Sequence, residues 1–151
     1  MALKVVPENQ QFIDALPQAL QSEVLDRLEA LMKLSNPVPW QQVDAQLQLI
    51  KVIAASPFSA QIFLLNPQLL DHALLTKRVS KPQLKRLLMA DMQEVTNETQ
   101  LHQSLRQFRK AHQVRLIWRN RCGLGSSEQL VEDLSNLADV CVDLALTWLH
   151  D

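Results

Sequence analysis

Apolar residues recur along the chain at intervals of three and four. Val24, Leu25, Leu28, Leu31 and Met32 do so, and Leu69, Leu70, Ala73 and Leu74 repeat the pattern. That is the period at which one side of an α-helix returns to the same neighbour. Prolines punctuate these runs. "LPQAL", "NPVPW", "SPFSA", "NPQLL" and "SKPQL" each place Pro near a first helical turn, often behind Ser or Asn. There its missing N–H costs nothing, and the preceding side chain can cap the helix. The spacing predicts helices over 8–16, 18–34, 40–55, 57–65, 67–78, 81–93, 97–121 and 126–150. Asn97 is expected to cap the seventh, with Gln100 in the capping-box position, and Gly123 to stop it in the left-handed conformation. Gly123 and Gly125 are the only glycines, too few for a sheet of tight hairpins. The expected fold is all-α, a multi-helix bundle ending in a long antiparallel helix pair, with strand confined to the chain ends if present.

Composition narrows the function classes. A chain of 151 residues suits one domain, and burying roughly 70% of the unfolded surface gives it a core of its own. With 47% apolar and 21% charged residues and a net charge of −1, it is not a surface built throughout for nucleic acid. Cys122 and Cys141 fit neither a disulfide framework nor a zinc site and read as small buried hydrophobes. His72, His102, His112 and His150 show no ligand spacing, and no metal site is expected. There is no glycine-rich phosphate loop, and no Ser/His/Asp or Cys/His arrangement, so no catalytic residue is assigned. The start, "MALKVVPENQ", lacks the apolar core of a signal peptide, and no apolar run approaches the roughly 20 residues of a membrane span. A cytoplasmic location is expected.

Charge is segregated. "LRQFRKAHQVRLIWRNRCG", Leu105 to Gly123, holds Arg106, Arg109, Lys110, Arg115, Arg119 and Arg121 without one acidic residue. Lys77, Arg78, Lys81, Lys85 and Arg86 form a second basic cluster. After Gly123 the sign reverses: Glu128, Glu132, Asp133, Asp139, Asp143 and Asp151 occur with no Lys or Arg. At about 100° per residue, Glu128, Glu132, Asp139 and Asp143 share an arc of about 60°, opposite Leu130, Leu134, Leu137, Cys141, Leu144 and Trp148. Such a row on one helix is not the converging carboxylate set a metal needs. On the basic helix, Arg106 and Arg109 lie on one side and Arg115 and Arg119 on nearly the other, among apolar residues on most faces. A helix so apolar is covered on most faces, and a buried guanidinium must find a partner. Two readings stay open: pairing with the acidic stripe (Glu132, Asp139, Asp143), or an arginine face that docks on another domain, a phosphate-bearing ligand or RNA. Arg106, Arg109, Arg115 and Arg119 are the interface or phosphate-facing candidates, expected to divide into an inward pair facing carboxylates and an outward pair.

The same stretch resembles a known family. Leu105, Arg106, Phe108 and Arg109 form an LRxFR motif, and Val114, Arg115, Leu116, Arg119 and Asn120 follow an (L/V)R(I/L)xxRD segment. Leu134, Ser135, Leu137, Ala138 and Asp139 follow an LSxLAD helix. Upstream, Ser56, Phe58, Pro67, Leu69 and Leu70 fit a looser SxFxxxxxxxxPxLL pattern. Over roughly residues 50 to 151 the chain resembles the N-terminal helical part of glutamine synthetase adenylyltransferase (glutamate–ammonia ligase adenylyltransferase); in residues 1 to 50 no motif of the family is recognised. Asn120 stands where the family has Asp, and neither GxGKxGGxE nor SDxDL, the family's nucleotidyltransferase signature, occurs before Asp151.

The resemblance implies a single helical domain over 1–151, the N-terminal portion of a longer nucleotidyltransferase chain and non-catalytic by itself. It implies a regulatory enzyme that attaches AMP from ATP to glutamine synthetase and removes it by phosphorolysis as ADP. Mg²⁺ and ATP or ADP would be used by the full-length enzyme and none by this chain. PII protein and glutamine would set the direction, and the Met1 start would place the chain in the deadenylylating half. The expected partners are a downstream nucleotidyltransferase domain, glutamine synthetase and PII; no membrane and no nucleic acid are expected. The alternative is a free-standing helical interaction module that binds RNA through its basic clusters.

Overall fold

The computed structural model describes residues 4–150, in which every regular element is a helix. The elements are α1 (Pro7–Asp14), α2 (Gln18–Leu34), α3 (Val43–Ala55), α4 (Pro57–Leu65), α5 (His72–Thr76), α6 (Lys81–Asp91), α7 (Glu98–Arg121) and α8 (Ser127–His150). Short 3₁₀ turns at Val38–Gln41 and Pro67–Leu69 precede α3 and α5. The helices expected over 40–55 and 67–78 are therefore each broken near their start. In both places a proline opens the tighter turn, and a new cap follows: Gln42 for α3 and Asp71 for α5.

Local chemistry sets the ends. Ser56 accepts from the Ser59 N–H at the head of α4, and Ser80 with Gln83 forms a reciprocal capping box at the head of α6, satisfying donors that the first turn leaves orphaned. Asn97 caps α7 through the Gln100 N–H at 2.9 Å. Gln100 bonds back to the Thr96 N–H at 2.8 Å, one residue before the expected capping-box partner. Gly123 stops α7 at φ +67°, and the chain reverses into α8 within a few residues, making α7 and α8 an antiparallel pair.

Two hydrophobic clusters share α7. The larger gathers α1 to α5 with Val114 and Trp118; the smaller gathers α6 and α8 with Phe108 and Leu116. Trp118 is fully buried beside Trp40, at 5.7 Å between ring centroids, and beside Phe63, at 6.1 Å. Its indole N–H donates to Gln48 Oε1 at 3.1 Å, and His72 Nε2 lies 2.9 Å from the same oxygen. Burial of a tryptophan this size is favourable only because its one donor is satisfied. No single helix among the described residues is long and apolar enough to cross a membrane.

The N-terminal segment is tied to this core through Gln46, which is completely buried. Its Oε1 accepts from the Val6 N–H and the Asn9 amide, and its Nε2 donates to the Lys4 and Trp40 carbonyls. One amide thus uses both donors and both lone pairs. Gln46→Ala should lower unfolding stability by about 2–4 kcal/mol, because the Trp40 carbonyl and one Asn9 amide hydrogen, both buried, lose a partner and the Val6 N–H loses its bond to the core. Urea denaturation checks this; a loss under about 0.5 kcal/mol would show that water replaces the amide.

Candidate functional site

The arginines of α7 part company as their angular positions require. Arg115 is 5% exposed. Its Nη1 donates to the Lys77 carbonyl at 3.2 Å and its Nε to His112 Nδ1 at 3.3 Å. Arg119 donates to the Thr76 carbonyl and, at 2.9 Å, to the Leu124 carbonyl. Thr76 and Lys77 close α5, whose last carbonyls have no partner within the helix, so two guanidinium groups supply the missing donors at its partial negative end. Arg27 of α2 does the same for the Ile53 carbonyl near the end of α3, at 3.1 Å.

These inward arginines were expected to face Glu132, Asp139 and Asp143. The structure corrects this. The acidic side of α8 lies against the chain around α6: Arg78 reaches Asp133 at 3.2 Å and Glu132 at 3.6 Å, and Lys81 reaches Asp139 at 3.1 Å. The second basic cluster serves the stripe, and Glu128 and Asp143 have no ion-pair partner among the described residues. The buried side of α8 is also rotated from expectation. Asp133, Leu137, Val140 and Leu144 are inside, whereas Leu134 is 41% exposed. Because α8 packs against both α6 and α7, its covered side is centred between them. Asp133 falls outside the acidic arc, on that covered side, and so is the carboxylate that sequence reasoning passed over; its position one turn before Leu137 is the signal. Asp151 lies outside the described residues.

The electrostatics follow from burial. Burial pushes the Arg115 guanidinium down to about 10, with Asp133 opposing the fall and Arg119 adding to it, so it remains a cation at neutral pH. Burial, with the Arg115 charge adding, pushes His112 down to about 4. Its neutral ring packs on Phe108 at 4.4 Å and keeps Nδ1 free to accept from Arg115. Burial also raises both thiols, Cys122 to about 11, which leaves them poor nucleophiles at neutral pH.

Arg106 and Arg109 are exposed and have no ion-pair partner among the described residues. With His102 they border a cavity of about 330 Å³ against Cys141, Val142 and Ala145 of α8. A second cavity, of about 450 Å³, lies at the other end of the same helix pair, between Gln113, Ile117, Asn120 and Arg121 of α7 and Leu130 and Leu134 of α8, with Phe58 beside them. Asn120, the departure from the family motif, is exposed there. Among the described residues no three His, Cys, Asp or Glu side chains converge to hold a metal. What the arrangement offers is an exposed surface whose cations, Arg106 and Arg109, have no ion-pair partner among the described residues.

Comparison with known proteins locates this surface in a family. The family model described as glutamate-ammonia ligase adenylyltransferase matches residues 46–151. Three curated relatives carry the name bifunctional glutamine synthetase adenylyltransferase/adenylyl-removing enzyme. The one from Pseudomonas aeruginosa is 34% identical over 104 residues, 66% of this chain and 11% of the relative. That from Thioalkalivibrio sulfidiphilus is 28% identical over 145 residues, 91% and 15%. That from Pseudomonas putida is 30% identical over 150 residues, 97% and 14%. The chain thus spans about a seventh of the length of its longer-matching relatives. No solved structure matches.

Arg115→Ala should destabilise the fold by about 2–4 kcal/mol, since it strips donors from a buried helix end. Arg106→Ala, at an exposed position, should stay within about 0.5 kcal/mol. Chemical denaturation of the two variants gives the comparison, and equal small losses would contradict the division. His112 supplies a pH test. Its folded value lies below the ordinary 6.5, so the unfolded chain binds the extra proton first and stability falls with falling pH. The loss should run from about pH 6.5 to about pH 4, and His112→Gln should remove that part of the slope while carboxylate effects remain.

Proposed function

The chain belongs to the glutamate-ammonia ligase adenylyltransferase family, and from that premise we propose that it is the N-terminal helical segment of the bifunctional enzyme that adenylylates and deadenylylates glutamine synthetase. The match over residues 46–151 carries the reading; it takes in α7 and α8, where the fixed arginines sit. In this reading the segment performs no chemistry. It is a rigid helical support whose outward cations, Arg106 and Arg109, face the nucleotidyltransferase part of the enzyme, while Arg115 and Arg119 hold the support together. Mg²⁺ and ATP or ADP belong to that other part. Metal-assisted phosphoryl transfer needs carboxylates on the ion and donors on the phosphates, and the described residues do not offer that donor set, so no step is routed through them. Glutamine synthetase and PII are partners of the whole enzyme. The RNA-binding alternative has less support, because Arg78 and Lys81 of its second basic cluster are engaged by carboxylates of α8.

The test is direct. Incubated with Mg²⁺, phosphate and adenylylated glutamine synthetase, the chain alone should release no ADP above background. Joined to the Pseudomonas putida relative in place of that protein's matching stretch, it should support release. Activity of the isolated chain, or a dead chimera that is nonetheless folded, would overturn the reading.

A further inference from the structure

The two cavities lie on the same side of the α7–α8 pair, one toward each end, and the seam between the two helices runs from one to the other as a groove. On α7, His102, Arg106, Arg109, Gln113 and Asn120 fall within about 60° of one another. They line the first cavity at one end and the second at the other. From His102 to Asn120 the groove runs about 27 Å, at 1.5 Å per residue. Its second side is a stripe of α8 that is largely open to solvent: Val131 is 64% exposed, Val142 56% and Leu149 51%, with the exposed Ala138 and the half-buried Ala145 on the same line. These positions recur at three, four and seven residues, the spacing that seats a neighbouring helix. Beyond the stripe, on the side away from α7, comes Glu128; Asp143 lies further round, past the Asp139 that Lys81 engages. The groove therefore has an apolar floor, a basic wall on α7 and one acid, Glu128, at the far edge of its α8 side.

We infer that this groove seats an amphipathic helix of about 18 residues from the remainder of the same enzyme, with Asp or Glu along the edge over Arg106 and Arg109 and Lys, Arg or neutral residues along the other. The inference rests on the reading above that the chain is part of a larger enzyme. Several features select this occupant. The groove has the length and the open trough of a third helix laid on an antiparallel pair. Its cations are unpaired among the described residues, whereas Arg78 and Lys81 are engaged with α8 and Arg115 and Arg119 with carbonyls. An exposed apolar stripe of this extent marks an interaction surface. The matched stretch is only 14% of the Pseudomonas putida relative, so most of that enzyme lies outside it and supplies the neighbouring polypeptide. An acidic edge on the occupant is required rather than optional: a basic edge over Arg106 and Arg109 would place like charges across a partly desolvated seam.

The probe is the Pseudomonas putida relative with the stretch that matches this chain removed, mixed with the full chain and followed by isothermal titration, sedimentation and amide exchange. A one-to-one complex is expected, with exchange slowed along α7 and α8. Arg106→Glu combined with Arg109→Glu should weaken it at least tenfold, and added salt should weaken the wild-type complex more than the variant's. Val142→Glu should also weaken it at least tenfold. Lys85→Glu, an exposed cation of α6 away from the groove, should leave it unchanged. Circular dichroism of the free variants should be unaltered, because all these side chains are exposed. A complex that forms but ignores the groove substitutions would overturn the groove assignment and leave the proposed function standing. Failure of the truncated relative, once circular dichroism shows it folded, to form any complex would overturn the groove inference, and the chimera above then decides the proposed function on its own. A homodimer of the chain, abolished by the same substitutions, would overturn the assignment by making a second copy the occupant.

Discussion

The structure turns on a guanidinium that is buried and must be satisfied. Arg115 lies on the helix that two hydrophobic clusters share, with Val114 and Trp118 turned into one and Leu116 into the other. A cation there is tolerable only with fixed acceptors. The chain supplies a main-chain carbonyl at Lys77 and a ring nitrogen at His112, and both choices propagate. Using the Lys77 carbonyl pins the end of α5 against α7. That pinning carries the next residue, Arg78, to Asp133 and Glu132 of α8. Using His112 as acceptor requires a neutral imidazole, which burial enforces. One buried charge thereby couples α5, α7 and α8, which sequence separates widely.

Most of the helical framework was legible in the sequence because it is written in local chemistry. Ser56, Ser80 and Asn97 cap where their side chains and the following turn dictate, and Gly123 stops α7 where a left-handed residue is needed. The breaks before α3 and α5 were less legible. "NPVPW" and "NPQLL" carry the same helical spacing as their surroundings, and whether a proline opens an α or a 3₁₀ turn depends on how tightly the next helix is drawn to the core. Trp40 and Leu70, both buried, show that it is drawn tightly at each place.

The partners of the charges were not legible, for a different reason. Spacing along α7 and α8 reports which residues share a side of one helix, and antiparallel neighbours were rightly expected from the short connection. It does not report which side of α8 meets which neighbour. A third helix, α6, competes for the same surface, and the residues leading into it, Arg78 and Lys81, claim the stripe. The role of Gln46 was hidden for a related reason: a glutamine reads as helix surface unless the groups it bonds, among them Val6, Asn9 and Trp40, are known to converge on it.

The arrangement explains how a chain of net charge −1 concentrates cations on α7 from Leu105 onward, a stretch that holds no acid. An inward arginine there needs no carboxylate. A helix end offers carbonyls with partial negative charge at fixed positions, and a flat guanidinium can bridge two of them or a carbonyl and an imidazole. The acids of α8 are then free to be met from the other side, by Arg78 and Lys81, and the outward cations of α7 are left without intramolecular claims. Their exposure is thus a consequence of how the interior was satisfied. A Lys at position 115 or 119 would not allow it, since a single ammonium point cannot span the acceptors that each guanidinium joins.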